Sequence, residues 1–252
     1  MEDKYKIQNI QYNKPYHHLL NLEKLSFFDY LGWGLEYYSY VSFLLDRFKE
    51  LSKEIDIKRV ADVGCGDGKI ALELARQHPH ITFEGYDLSE QAILFAKAYS
   101  YNIENLKFYN KDFKYSKGSY DIILCIEVLE HIPDKDIKHF VKNLYSKLKE
   151  NGLLIVSVPT ENLKLHPKHY RHYTLDSLKE HLGLFDLKEY HYIHNFKSIK
   201  TRVINAIFIN DLFILNSYRM RKMFIDYYNK YLKIAGKYTG AHIFAIFKKE
   251  SF

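Results

Sequence analysis

Three glycines and a set of carboxylates give the first chemical signal in this 252-residue sequence. Residues 60–75 read VADVGCGDGKIALELA, with Gly64, Gly66 and Gly68 between an apolar run and a helical one. Glycine lets the backbone take positive φ and lets a ligand approach the main chain closely. The helix that follows brings free N–H groups and the positive end of its dipole to the same turn. A cofactor lying across the carboxyl ends of strands suits such a turn. The spacing is G-x-G-x-G followed at once by Lys69, not the dinucleotide G-x-G-x-x-G, and no G-x-x-x-x-G-K-[ST] occurs. With Asp67 inside the turn, a pyrophosphate is a poor occupant, and a ligand with its own cationic and carboxylate groups fits better. Three further acids close successive apolar runs. Asp87 follows the glycines by about twenty residues, the spacing at which a carboxylate grips ribose hydroxyls. Asp112, in YNKDF, is suited to an adenine amino group, with Phe113 beside the ring, and Glu127 ends the fourth run.

Those residues need a scaffold that delivers them to one edge. Short apolar stretches at 57–63, 81–86, 106–109, 120–126 and 153–158 read as strands. Helical stretches at 69–77, 89–99 and 134–149 alternate with them, the second with Ser89 as N-cap and the third entered after Pro133 and ended by Asn151-Gly152. Near-continuous apolar strands alternating with helices imply an α/β fold, a parallel sheet covered on both faces and doubly wound by right-handed crossovers. After Pro159 come a histidine-rich loop, a capped helix at 174–182, and closing strands at 186–194 and 241–247. Residues 16–53 read as helical, broken by Gly32 and Gly34, and residues 199–236 as an aromatic, basic helical insertion. The division expected is a helical cap over residues 1–55 and a main domain over 56–252, with the insertion as a lid.

The ordered set VADVGCGDG, GYDLSEQAI, NKDF, YDIILCIEVLEHIP and LKENGLLIVSVP resembles the class I S-adenosylmethionine-dependent methyltransferases across residues 57–158. That resemblance implies a Rossmann-like, mostly parallel seven-stranded sheet with an antiparallel final hairpin, and S-adenosylmethionine as cofactor. It also implies cofactor roles residue by residue. Gly64 and Gly66 lie near the methionine part and Asp62 helps hold its amino group. Asp87 takes the ribose, Asp112 and Phe113 the adenine, and Cys65, Leu88 and Glu127 complete the set.

Methyl transfer from a sulfonium asks the protein chiefly for alignment and desolvation. A hydroxyl acceptor must also lose a proton, and His131, in EVLEHIP, is the candidate base because histidine titrates near neutrality. EVLEHIP resembles the ubiquinone-biosynthesis O-methyltransferase branch. The same residues read a second way, as a metal shell of Glu127, Glu130 and His131 joined by His166, His169 or His172. Small-RNA 3′-terminal 2′-O-methyltransferases have a similar E-x-x-E-H arrangement, which makes an RNA 2′-O-methyltransferase the alternative. HYRHYT resembles the H-x-R-x-Y/F-[ST] segment of bacterial methyltransferases acting on small or cell-surface metabolites. Arg171 is then a bidentate carboxylate or phosphate ligand, and His169, Tyr170 and Tyr173 are acceptor-binding candidates. In GWGLEYYSYV, Tyr37 and Tyr38 are candidates to close the methionine end, and Trp33, with Tyr37 also counted among the substrate-binding candidates, to wall the acceptor pocket.

Bulk properties constrain less. A net charge of +6 from 37 basic and 31 acidic residues permits an anionic partner, nucleic acid or membrane surface included, without requiring one. Two cysteines, Cys65 and Cys125, support no disulfide framework, and the first residues lack the apolar core of a signal peptide, so a reducing, cytoplasmic setting is expected. Between Arg202 and Arg219 only Asp211 is charged, a run shorter than the ~20 residues of a spanning helix. It reads as a lid or homodimer surface, or as a patch resting on a membrane. The expected activity is O-methylation of a small molecule, a sugar or carboxylated metabolite; a cofactor-binding protein without catalysis is the alternative from another class.

Overall fold

The computed structural model describes residues 4–27, 34–210 and 212–250. Its centre is one sheet of eight strands. In chain order they are β1 (Arg59–Val63), β2 (Thr82–Asp87), β3 (Leu106–Asn110), β4 (Tyr120–Ile126), β5 (Leu148–Pro159), β6 (Asp186–Asn195), β7 (Ile234–Ala235) and β8 (Gly240–Lys248). The spatial order is β3-β2-β1-β4-β5-β8-β6-β7. Strands β1 to β5 run parallel, while β8 is antiparallel to both β5 and β6. The sheet therefore has one strand more than expected. The addition is β7, two residues pairing with Tyr192 and Ile193 at the edge, too short to leave a periodic signal.

Strand period explains why both faces are covered. Val60, Ile122 and Leu124 point into one apolar layer and Ala61, Ile123 and Cys125 into the other. The first layer is closed by α2 (Gly34–Glu54), α3 (Lys69–Gln77) and α4 (Glu90–Tyr99) through Val41, Phe48, Leu72 and Ile93. The second is closed by α5 (Ile137–Lys147) and α6 (Leu175–His181) through Val141, Leu144 and Leu178. Local capping fixes two of these helices: Ser89 accepts from the amide of Ala92, and Thr174 and Ser177 form a capping box.

Three expectations change. Residues 16–27 are not part of a long helix. They hold a short 3-10 turn, Tyr16–Leu19, and a two-residue antiparallel pairing of Leu20–Asn21 with Ser26–Phe27. Asn21 closes the turn between those pairs by accepting from the amide of Lys24, and Leu25 takes φ 50°. Gly32 and Trp33 lie outside the described residues. The helix expected over 134–149 starts only at Ile137, so Asp134 precedes it. Asn151 and Gly152 do not end that helix but stand inside β5, where the register on β4 jumps from Tyr120↔Leu148 to Ile122↔Leu153. Asn151, at φ 62°, is the bend.

The covering elements also differ from expectation. The insertion forms α7 (Ile199–Phe208) and α8 (Tyr218–Tyr231), preceded in the chain by the amino-terminal helix α1 (Lys4–Ile10). The insertion packs on the outside of α2: Asn229 donates to the Tyr38 hydroxyl at 2.9 Å and Lys233 pairs with Asp46 at 3.0 Å. No described residue of the insertion lines the cavity at the strand ends, so it is not the lid there. Residues 4–19 run over that cavity instead, with Lys4 donating to the carbonyls of Pro167 and His169 and Ser89 donating to Asn9. No described helix is long and apolar enough to cross a membrane.

Gly68 shows how tightly the turn is set into this frame. It sits at φ 79°, and a Cβ there would stand 2.5 Å from Phe108 Cζ and 2.8 Å from Ala96 Cβ. Gly236 has no such neighbour, the nearest atom being 3.6 Å away. In urea denaturation, Gly68→Ala should cost about 2–4 kcal/mol from combined strain and overpacking, and Gly236→Ala no more than about 0.5 kcal/mol. Equal costs would contradict this account of the turn.

Candidate active site

The turn after β1 is built from left-handed glycines, with Gly64 at φ 71° and Gly66 at φ 55°. The amides of Gly64 and Cys65 both reach the carbonyl of Tyr86 on β2, at 2.8 and 3.1 Å. Gly66 N–H donates to Asp87 Oδ2 at 2.9 Å, and Ser89 N–H to Asp87 Oδ1 at 2.8 Å. One carboxylate thus joins the turn, the end of β2 and the start of α4. Asp62, at the end of β1, is buried, and its Oδ2 has no hydrogen-bond partner among the described residues. Burial, then the charge of Asp87, pushes Asp62 up to about 7.

Asp67 does not face a ligand as expected. Its carboxylate accepts from the backbone and ring Nδ1 of His17, at 3.1 and 2.9 Å, and its carbonyl meets His18 Nε2 at 2.8 Å. Burial alone would raise its pKa, but the two histidines hold it below the ordinary carboxylate value. Asp67 is therefore the anchor of the amino-terminal segment. The fit is close, since a Cβ on Gly66 would lie 2.5 Å from the Tyr12 hydroxyl.

Asp112 caps a short 3-10 turn by accepting from Lys114 N–H at 2.9 Å and pairs with the Lys114 ammonium at 3.0 Å. Phe113 is buried with its ring edge-on to Tyr86 at 5.2 Å. Both line one cavity of about 1230 Å³, as do Asp62, Gly64, Cys65, Gly66, Asp87, Leu88, Glu127, Tyr37, His131 and His169. Tyr37 is buried against the His17 ring, 5.2 Å between centroids.

A charge cluster around the buried His242, on the floor of the cavity, escaped the sequence reading. Glu127 Oε1 accepts from Ser157 Oγ at 2.6 Å and from His242 Nδ1 at 3.0 Å. His242 Nε2 donates to Glu36 on α2 at 2.7 Å. Donating from both ring nitrogens makes His242 the imidazolium. Burial opposes that charge, yet Glu127 and Glu36 together push His242 up to about 10. Glu127 pays for its position with a left-handed φ of 55°. The available signal was His242 itself, a lone imidazole in the apolar run AHIFAIF.

The far wall is made by the turn after Glu127 and by residues 160–174. Glu130 is 1% exposed and neither carboxylate oxygen has a partner among the described residues. His131 Nδ1 lies 3.3 Å from the Lys168 carbonyl. His169 Nδ1 lies 2.9 Å from His172 Nε2, and His172 Nδ1 3.2 Å from the Leu163 carbonyl. Burial, then the Lys168 ammonium, pushes His131 down to about 3, and burial, then His131, pushes His169 to about 2. His131 therefore does not have the near-neutral basicity expected of it. Lys168, whose ammonium donates to Gln11 Oε1 at 3.0 Å, was not a sequence candidate.

Three expected acceptor ligands lie off the cavity. Arg171 pairs with Asp134 and donates to the Leu129 carbonyl, so its guanidinium is consumed by the turn before α5. Tyr173 is 1% exposed, its hydroxyl near the Leu129 carbonyl and His181. Tyr170 lies outward under the Lys4 ammonium. Trp33 falls outside the described residues.

The sign of the pH dependence follows from His242. Its folded value, about 10, lies above the ordinary 6.5. The stability it contributes is complete below pH 6.5 and is lost as pH rises through 10. Thermal unfolding should therefore show stability falling over that window, by at most about 1.4 kcal/mol per pH unit, and His242→Gln should flatten the fall. Identical slopes in the two proteins would mean that His242 is neutral.

A family model described as a methyltransferase domain matches residues 36–194. The ubiquinone biosynthesis O-methyltransferase of Rickettsia prowazekii is 30% identical over 126 residues, which are 49% of this chain and 49% of that protein. The chain thus spans about half the length of the curated relatives it matches. Among solved structures, magnesium protoporphyrin IX methyltransferase of Synechocystis with bound S-adenosylhomocysteine has a TM-score of 0.64 at 14% identity, covering 98% of this chain and 100% of that one. The N-methyltransferase NodS of Bradyrhizobium japonicum, with the same ligand, has a TM-score of 0.63 at 12% identity, with coverage of 99% and 100%. These structures share the fold, and the domain match extends over most of the sheet and its strand-end residues: the chain belongs to the methyltransferase domain family, the class I S-adenosylmethionine-dependent methyltransferases.

Proposed function

We propose that this chain transfers the methyl group of S-adenosylmethionine to a hydroxyl of a small acceptor, a sugar or a carboxylated metabolite. One observation carries the reading: Asp62 and Asp87 flank the glycine turn at one end of a cavity whose other end is walled by imidazoles and lysines. When bound, the sulfonium supplies an electrophilic methyl carbon. The unpartnered Oδ2 of Asp62 suits the cofactor's ammonium. Asp87, already fixed by two amides, offers its remaining lone pairs to ribose hydroxyls, and Asp112, Phe113 and Leu88 border the base. Glu127 and Tyr37 shape the methionine end. The described part of residues 1–55 acts as the cap, through His17 on Asp67 and Asn9 on Ser89, and excludes water from the cavity.

The acceptor's reacting oxygen is set against Glu130, His131 and His169. Lys164, Lys168 and His166 surround that end of the cavity and suit an acceptor carrying a carboxylate or phosphate. The names of the curated relatives support oxygen rather than nitrogen as the methylated atom.

Calorimetry with S-adenosylhomocysteine tests the cofactor end. The wild type should bind it. Asp87→Ala should weaken binding about 10–100-fold, as for loss of hydrogen bonds to a charged group. Arg171→Ala should change it less than about twofold, since Arg171 lies off the cavity. Absence of binding by well-folded wild-type protein would end the proposal.

Methyl-labelled cofactor tests the acceptor. Offered a metabolite extract and total RNA in parallel, the protein should label the low-molecular-mass fraction, and His131→Ala should lower that rate about 10²-fold or more while keeping cofactor affinity. Label found only in RNA would replace the small acceptor with an RNA hydroxyl. Binding without label in either fraction would make the chain a cofactor-binding protein.

A further inference from the structure

We propose that Glu36 and Tyr40, on one face of α2, form a subsite on the floor of the cavity that binds the vicinal hydroxyls of a polyhydroxylated acceptor, a sugar ring. The inference deepens the proposed function and rests on it for the role of the subsite in methyl transfer. Residues i and i+4 share a helix face, so both side chains leave α2 on the same side. Both line the cavity. Two independent features set them apart from the rest of the lining.

The first is the carboxylate of Glu36. Its partner among the described residues is His242, whose Nε2 donates to Oε1 at 2.7 Å. Oε2 makes no hydrogen bond among them, and the side chain is 28% exposed. A carboxylate offers about four lone-pair positions, and His242 uses one. Burial works against the ionised form, yet the His242 imidazolium holds Glu36 below the ordinary carboxylate value. Glu36 is thus a fixed anionic acceptor with lone pairs left for a ligand, and His242 is its positioning residue.

The second is the hydroxyl of Tyr40. The residue is 7% exposed, with its ring 5.2 Å from that of His242 and edge-on to that of Tyr37 at 5.3 Å. A tyrosine buried to this degree usually places its O–H against a partner. Tyr40 has none among the described residues. Burial, then the charge of Glu127, raises its pKa, so the hydroxyl keeps its proton and both donates and accepts.

The chemistry of the pair selects the ligand. An ammonium would meet Glu36 but has no lone pair for the Tyr40 proton. Lys164 and Lys168 line the acceptor end and oppose a further cation. A carboxylate would accept from Tyr40 but would face the charge of Glu36. A hydroxyl satisfies both, donating to Glu36 while its oxygen accepts from Tyr40. A second hydroxyl on the neighbouring carbon takes another lone pair of the same carboxylate. An acceptor without these hydroxyls would leave both protein groups unpaired, which is how such a site discriminates.

Saturation-transfer NMR tests the subsite without turnover. The full chain, loaded with S-adenosylhomocysteine, is titrated in turn with neutral hexoses, neutral pentoses, benzoate and ethanolamine. At least one neutral sugar should bind, and Glu36→Gln and Tyr40→Phe should each weaken that binding at least about tenfold. Tyr40→Phe keeps the ring and its packing, so it reads the hydroxyl alone. Calorimetry with S-adenosylhomocysteine on the same samples reports the cofactor end. Wild-type protein that binds that ligand but no sugar overturns the subsite and leaves the methyltransferase reading intact. Sugar binding unchanged in either variant overturns it, as does binding of ethanolamine or benzoate in place of every sugar. Sugar binding that both variants weaken, in protein with no affinity for S-adenosylhomocysteine, leaves the subsite standing and removes its role in methyl transfer.

Discussion

The bond from the Gly66 amide to the Asp87 carboxylate is the constraint on which the site depends. A sheet buried on both faces can expose polar chemistry only where its strands end. The ends of β1 and β2 are adjacent, but nothing in the ladder itself bends the chain across them. Left-handed φ at Gly64 and Gly66 does so, and the amides of Gly64, Cys65 and Gly66, bonded to the Tyr86 carbonyl and the Asp87 carboxylate, hold the turned segment in place. Because Asp87 also receives Ser89 N–H, the start of α4 is fixed by the same group. Turn, strand end and helix therefore share one charged atom pair, and none can shift alone.

That rigidity on the sheet side contrasts with the way the cavity is covered. The amino-terminal segment crosses it through side-chain contacts rather than through ladder bonds. His17 and His18 meet Asp67, Tyr5 meets the Leu88 carbonyl, and Lys4 meets the loop at residues 167–169. These are bonds that can break one at a time without disturbing the core. The segment's buried tyrosines, Tyr12 and Tyr16, pack with Ala92 in a small apolar cluster apart from the two main layers. The insertion is different: Ile204, Phe208, Ile225 and Tyr228 are buried in the main apolar layer, so α7 and α8 are bound to the core and not to the cavity.

What could be read from the chain beforehand follows from how local each signal is. α3 and β4 have the bounds expected of them, because an apolar run and a helical period are complete within each segment. The caps at Ser89 and Thr174 are visible for the same reason, since donor and acceptor are three residues apart. Partners distant in sequence are not visible. Arg171 was read as an acceptor ligand from the HYRHYT motif, yet its partner is Asp134, distant in sequence and beside it in space. Glu36 and His242 are separated by most of the chain, and only the antiparallel docking of β8 on β5 brings the imidazole between two carboxylates. His131 shows a further limit: its place after the fourth strand is readable, while its basicity is set by burial and by a lysine from another loop.

The two ends of the cavity hold their titratable groups differently, and this bears on what happens between them. At the turn end, Asp62 is held up to about 7 by burial and by Asp87. A cationic group arriving there would stabilise the ionised form and draw its pKa back down, so proton release and ligand binding are coupled. At the other end, Lys168 is lowered by burial and the imidazoles are neutral. In the proposed reaction, moving a methyl group from a sulfonium to the acceptor removes positive charge from the middle of the cavity. A floor that keeps the Glu127–His242–Glu36 cluster at a fixed net charge of one negative unit favours the charged reactant, not the neutral product. Catalysis in such a site cannot come from that cluster alone. The remaining features that bear on it are the wall opposite the turn, where Glu130 is buried with neither oxygen hydrogen-bonded among the described residues, and the exclusion of water by the segment that closes above it.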